Sequence, residues 1–165
     1  MMTLEQMNEM SSTEFEKAFG DVAEHSPWIA RHAASARPFS SRDKMIAAFR
    51  DSLLAATETA QLALIRAHPD LATKAKLTHS SASEQAQAGL GALTADEFAR
   101  FTHLNDLYKS KFDFPFIFAV KGATKHQILA SFMERVNNSR QDEFAMALEQ
   151  VACIFRFRLE DRVSS

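Results

Sequence analysis

Residues Leu64–Leu90 read LIRAHPDLATKAKLTHSSASEQAQAGL, and this stretch decides the fold class. An apolar run with helical spacing stops at Pro69, which lacks an N–H and disfavours α conformation in the residue before it. A short basic connection around Lys74 and Lys76 follows, and then a second helix start that carries Glu84 and Gln85. Helix, break and helix, with no period-two alternation, is the signature of packed helices rather than of a sheet. His68 is thereby placed at a helix end. There it can act as a titratable group beside a break, with Glu84 on the next helix as its proton-transfer partner. Equally, it can serve as a C-terminal cap whose cation favours the helix dipole.

Working outward, the same periodicity recurs along the chain, and only four Gly and four Pro interrupt it. Thr13 with Glu16 has capping-box spacing for a short helix ending at Phe19-Gly20. Ser26-Pro27 reads as N-cap and first helical residue, and Arg37-Pro38 ends that helix. Ser40 or Ser41 caps the next one, with Met45, Ile46, Phe49, Leu53 and Leu54 on one face. Thr57 to Ala67 continues or restarts the helix, burying Leu62 and Ile65, and stops at Pro69. Ser81 with Glu84 repeats the capping-box spacing, for a helix ending near Gly89 or Gly91. Thr94 with Glu97 and Thr124 with Gln127 start two more helices, and a last one runs from about Asp142 to Arg162. Between them, residues 112–122 are apolar without helical polarity and are bracketed by Pro115 and Gly122. They are expected to form a buried extended segment or irregular turn. The expectation is one all-α domain spanning residues 1–165, with about eight helices packed ridge into groove.

Composition excludes several functions. A chain of 165 residues that is 46% hydrophobic suits one core. With 19 Lys+Arg against 21 Asp+Glu and no basic cluster, nucleic acid is not the expected partner. No apolar run is long enough to span a bilayer. The single Cys153 fits a reducing compartment. The start MMTLEQMNEM lacks the regions of a secretory signal, and the end DRVSS is not a peroxisomal tripeptide. A soluble, cytoplasmic protein is expected. The six His, at 25, 32, 68, 79, 103 and 126, form no HExxH or His/Cys pairing, so no metal site is expected. Gly-rich phosphate loops and GxSxG are also absent, and no cofactor is indicated.

Two further features carry alternatives. Arg158 shares a face with Val151, Ile154 and Phe155, where a guanidinium either snorkels to the surface or anchors an anionic or carbonyl group. An extended segment near Phe118 leaves backbone N–H groups available to a ligand. His68-Pro69-Asp70 is also the tripeptide of J-domain co-chaperones. That reading requires a strongly basic preceding helix, and TETAQLALIRA holds one arginine beside one glutamate.

Several motifs together resemble a known family. They are FGDVAEHSPWIA (19–30), ARPF (36–39), LIRAHPDLA (64–72), SSASEQAQAGL (80–90) and LNDLYKSKFDFPFIFAVKG (104–122), then ILASFMERVNN (128–138) and FRFRLED (155–161). In this order the chain resembles, over nearly its whole length, the 2-oxo-4-hydroxy-4-carboxy-5-ureidoimidazoline (OHCU) decarboxylases of urate degradation. The resemblance implies an all-α, cofactor-free homodimer that converts OHCU to (S)-allantoin with loss of carbon dioxide. By motif position it implies catalytic roles for His68 and Glu84. Substrate contacts would come from Pro69, Ser81, Gln85 and Arg158, and from the backbone of Phe118, Ala119 and Val120. Ser80 and Ser83 compete with Ser81 for the serine role, and Ser81 is chosen for its spacing to Glu84. Phe118 departs from the aliphatic residue more usual at that position of the family.

The implied chemistry suits these residue types. OHCU carries its carboxylate on a carbon adjacent to a ring C=N, so the electrons released with carbon dioxide flow into the imine. The substrate acts as its own electron sink. What is left to the protein is to hold one ring face, stabilise developing charge and deliver a proton from one side. The other class of function open to these residues is a helical binding protein for a ureide or purine-like ligand, and product chirality discriminates the two.

Overall fold

A computed structural model describes residues 1–73 and 77–165, so the basic connection expected around Lys74 and Lys76 lies outside the described residues. Among the described residues the regular structure is helical, apart from one isolated bridge between Met2 and Val163. In chain order the helices are α1 (Leu4–Glu9), α2 (Ser12–Phe19), α3 (Trp28–Ala34), α4 (Arg42–Leu54) and α5 (Glu58–Arg66). There follow α6 (His79–Gln87), α7 (Ala95–Phe112), α8 (Lys125–Arg135) and α9 (Arg140–Glu160). Two compact units result. One comprises Met1–Ala67 with Val151–Ser165, the other His68–Gln150.

In the first unit, α2, α3 and α4 pack around Phe15, Phe19, Ile29, Met45 and Phe49, all buried. Phe15 meets Phe19 at 4.9 Å, and Phe49 meets Phe155 edge-on at 6.3 Å. Burying each such ring contributes about 1.5–3 kcal/mol. Arg37 lies over the Phe15 ring at 4.7 Å and donates to the carbonyls of Met7 and Met10, which caps the join between α1 and α2. In the second unit the core is aromatic. Phe116 stacks on Phe132 at 3.9 Å, and Tyr108 sits edge-on to Phe114, Phe116 and Phe132. Residues 114–120 run without helix, as expected from Pro115 and Gly122. Phe114, Phe116, Ile117 and Val120 are buried there.

Several local expectations are corrected. A helix at Leu4–Glu9 was not anticipated; it has its own capping box from Thr3 and Gln6. The box of α2 is Ser11 with Glu14, because Glu16 is drawn away into a two-pronged pair with Arg31. Pro27 takes the N-cap position of α3, while the Ser26 hydroxyl donates to the Glu24 carbonyl instead of capping. Leu54 is 47% exposed, since the helix ends there and turns it outward. Thr94 and Thr124 cap α7 and α8 as expected, and Thr57 caps α5.

Glu97 gives the fold a pH dependence. Its carboxylate accepts from Lys125 Nζ at 2.8 Å and from the Thr94 backbone N–H at 3.0 Å. The Lys125 hydrogen bond first, and the Thr94 N–H second, lower its pKa to about 2. A depressed carboxyl pKa stabilises the fold above the ordinary value of 4.5, and that stabilisation is lost as pH falls toward about 2. Glu97→Gln is therefore expected to melt below wild type at neutral pH. The gap should narrow as pH drops from 4.5 toward 2 in paired thermal melts, and a constant gap would contradict the pairing.

Candidate active site

Helix α5 ends at Arg66, and Ala67 closes its last turn by donating to the Ala63 carbonyl. His68 and Pro69 follow, so the imidazole is delivered at a helix end as the sequence requires. His68 is 7% exposed. The next three residues are held by side-chain amides. Gln85 Oε1 accepts the Ala72 N–H at 3.0 Å, and Gln85 Nε2 donates to the Asp70 carbonyl at 3.4 Å. Asn105 Nδ2 donates to the Leu71 carbonyl at 2.9 Å. Lys109 pairs with the Asp70 carboxylate at 2.6 Å. Ala72 has φ of 55°, a left-handed conformation that costs a residue with a Cβ about 1–2 kcal/mol. The Gln85 amide holds it there.

Helix α6 carries the next residues, with one correction. Its N-cap is Thr78, whose hydroxyl accepts the Ser81 N–H at 3.2 Å, so Ser81 with Glu84 is not a capping box. Glu84 lies inside the helix rather than at its start. Ser81, Glu84 and Gln85 stand at i, i+3 and i+4 and so share one face. Ser81 and Gln85 are buried on it and Glu84 is half-buried. Among the competing serines, Ser83 is exposed and accepts from Gln87, whereas Ser81 is 5% exposed. The helix stops in a Schellman motif: Gly89 has φ of 84°, with Leu90 N–H on the Gln85 carbonyl and Gly89 N–H on that of Ala86.

In the extended segment, Phe118 and Ala119 are half-buried and Val120 is buried. The Ala119 N–H, expected to be available to a ligand, donates to Gln150 Oε1 at 2.9 Å. Arg135 fixes the preceding residues, donating to the Ile117 carbonyl at 2.7 Å and lying 4.3 Å from the Phe116 ring centre.

Arg158 belongs to the other unit and is 4% exposed. It does not snorkel to the surface, and its partners are groups of this chain. Nη1 donates to the Val22 carbonyl at 3.2 Å, and Nη2 donates to Glu24 Oε1 at 2.8 Å. Glu24 is 2% exposed, and a carboxylate so buried is stable only beside a cation. Glu24→Gln keeps an acceptor but removes the charge. It is expected to cost about 1–3 kcal/mol in urea unfolding, and an unchanged midpoint would contradict the pairing.

Sequence reasoning missed Glu24, Asn105 and Gln150. Asn105 had a visible signal, as a polar residue inside the apolar stripe Phe101, Leu104 and Tyr108. Glu24 and Arg158 lie far apart in sequence, and helical periodicity carries no information at that range.

These features define an all-helical protein that presents a buried histidine on a pinned loop and a polar face on the following helix. Comparison with known proteins narrows the class. Residues 8–160 match the OHCU decarboxylase family, and the chain belongs to that family. It is 42% identical to a 2-oxo-4-hydroxy-4-carboxy-5-ureidoimidazoline decarboxylase of Haloferax volcanii, across 99% of this chain and 98% of the relative. It is 43% identical to part of a uric acid degradation bifunctional protein of a Bacillus species, covering 98% of this chain and 32% of that protein. The fold superposes on a crystal structure of (S)-allantoin synthase with a TM-score of 0.84 at 30% identity, covering all of this chain and 55% of the other.

Proposed function

We propose that residues 1–165 act as one domain that decarboxylates OHCU to (S)-allantoin in urate degradation, as a carboxy-lyase without a cofactor. The observation that carries this reading is the match to the Haloferax decarboxylase, nearly end to end in both chains. Loss of carbon dioxide breaks the bond between the carboxylate and the hydroxyl-bearing ring carbon. The electron pair forms a C=C bond to the imine carbon, and the imine nitrogen takes up a proton. The hydroxyl becomes a carbonyl, and a proton is added to the ring carbon that bears the ureido group.

His68 delivers that proton and so sets the hand of the product. Glu84 accepts substrate N–H groups and orients the imidazole. Ser81, Pro69 and the backbone of Phe118, Ala119 and Val120 contact the ring. Gln85 Oε1 accepts the Ala72 N–H and keeps a second lone pair for a substrate N–H, so the same amide holds the loop and binds the ligand. Arg158 faces an oxygen where charge builds up. Its partner Glu24 offsets its charge, which limits its grip on the departing carboxylate; a firm grip there would stabilise the ground state and slow the loss.

The protein is further proposed to be a cytoplasmic homodimer. No helix among the described residues is long and apolar enough to cross a membrane. OHCU labelled with ¹³C in the carboxylate tests the reaction. Labelled carbon dioxide should appear faster with protein than without, and equal rates would overturn the reading.

A further inference from the structure

The side-chain amide of Asn105 is 6% exposed, on a face of α7 that otherwise buries Phe101, Leu104 and Tyr108. An amide in such a stripe is costly unless it is hydrogen-bonded, and leucine would fill the same space without a polar group to satisfy. Its bond goes to the Leu71 carbonyl at 2.9 Å, three residues beyond His68. Gln85 grips the residues on either side of Leu71, at the Asp70 carbonyl and the Ala72 N–H. Two amides from two helices thus fix three consecutive backbone units next to Pro69, whose own φ is set by its ring. Ala72 is held left-handed in the process, a conformation the loop would leave if released. The ion pair from Lys109 to Asp70 is partly exposed and contributes little of this rigidity.

We propose that Asn105 is a positioning residue for the reaction. Through the Leu71 carbonyl it sets where the His68 imidazole stands against the Ser81, Glu84 and Gln85 face of α6. The inference rests on His68 being the proton donor. It predicts that losing the Asn105 donor misplaces the imidazole, and a displacement of about 1 Å lowers turnover by roughly a hundredfold.

The test uses Asn105→Leu, with Asn105→Ser as a second variant in case the first does not fold. Ile128→Val serves as a comparator, because it loosens the buried core of the same unit without removing a hydrogen bond to the loop. With enzyme amounts adjusted so that each variant outruns the spontaneous reaction equally, the expected results for Asn105→Leu are three. These are a kcat at least about tenfold lower with KM little changed, a lower enantiomeric excess of allantoin, and shifted ¹⁵N signals from the His68 ring. Ile128→Val should leave the enantiomeric excess and the ring signals as in wild type. If Asn105→Leu and Asn105→Ser lower only the melting temperature, or match Ile128→Val in product chirality and ring signals, the inference is overturned. Should wild type itself not turn over OHCU, the proposed function fails. The His68 ring signals of the Asn105 variants then decide the positioning role alone.

Discussion

His68→Ala is expected to lower kcat on OHCU by about 10²–10⁴-fold. The substrate supplies its own electron sink, so carbon dioxide is still lost slowly without the imidazole, and the residual product should be racemic. The side chain is buried and sits on a loop held by Gln85 and Asn105. Removing it leaves a small cavity in an already pinned loop, so the variant should fold. Stopped-flow absorbance with freshly generated OHCU measures the loss. Wild-type turnover by His68→Ala would keep the reaction and remove His68 from its centre.

Glu143→Ala is expected to have the largest effect on stability, about 3–5 kcal/mol. Glu143 is fully buried, and one carboxylate oxygen accepts from Tyr108 Oη at 2.6 Å and Arg135 Nε at 2.8 Å. Its other oxygen accepts from Asn138 Nδ2 at 3.0 Å. Burial first, and the bond to Glu143 second, push the Tyr108 phenol well above its usual range, so it stays a neutral donor. Alanine would leave the Arg135 guanidinium buried without its counter-charge. For a chain of this size the loss corresponds to a melting temperature lower by roughly 10 °C. Replacing both partners, Arg135→Leu with Glu143→Leu, should cost less than Glu143→Ala alone, since no orphaned charge remains. Calorimetry of the variants checks the order. A double variant less stable than the single would show that the network contributes more than mutual charge compensation.

Much of this architecture was legible where the cause is local. Helix breaks at Pro69 and Arg37-Pro38, the capping boxes at Thr94 and Thr124, and the extended run through Pro115 follow from neighbouring residues alone. Boundaries failed where the local signal was degenerate. Ser11, Ser12 and Thr13 all offer a cap, as do Thr78, Ser80 and Ser81, and which one serves depends on partners such as Arg31 for Glu16. The site was legible in part. His68 at a helix end and Ser81, Glu84 and Gln85 on one face follow from spacing, whereas their reaction followed from resemblance. The loop clamp by Asn105 and the hold of Gln150 on Ala119 span more than thirty residues each. Pairings of that range are set by packing, which periodicity does not encode.

The most direct test of the central claim is the chirality of the product. Freshly generated OHCU is followed by circular dichroism with the intact protein and with His68→Ala. Rapid growth of an (S)-allantoin signal with wild type, and only the slow racemic course with the variant, is the predicted result. A wild-type protein that neither accelerates the reaction nor biases the hand of allantoin would contradict the account and leave a helical ureide-binding protein in its place.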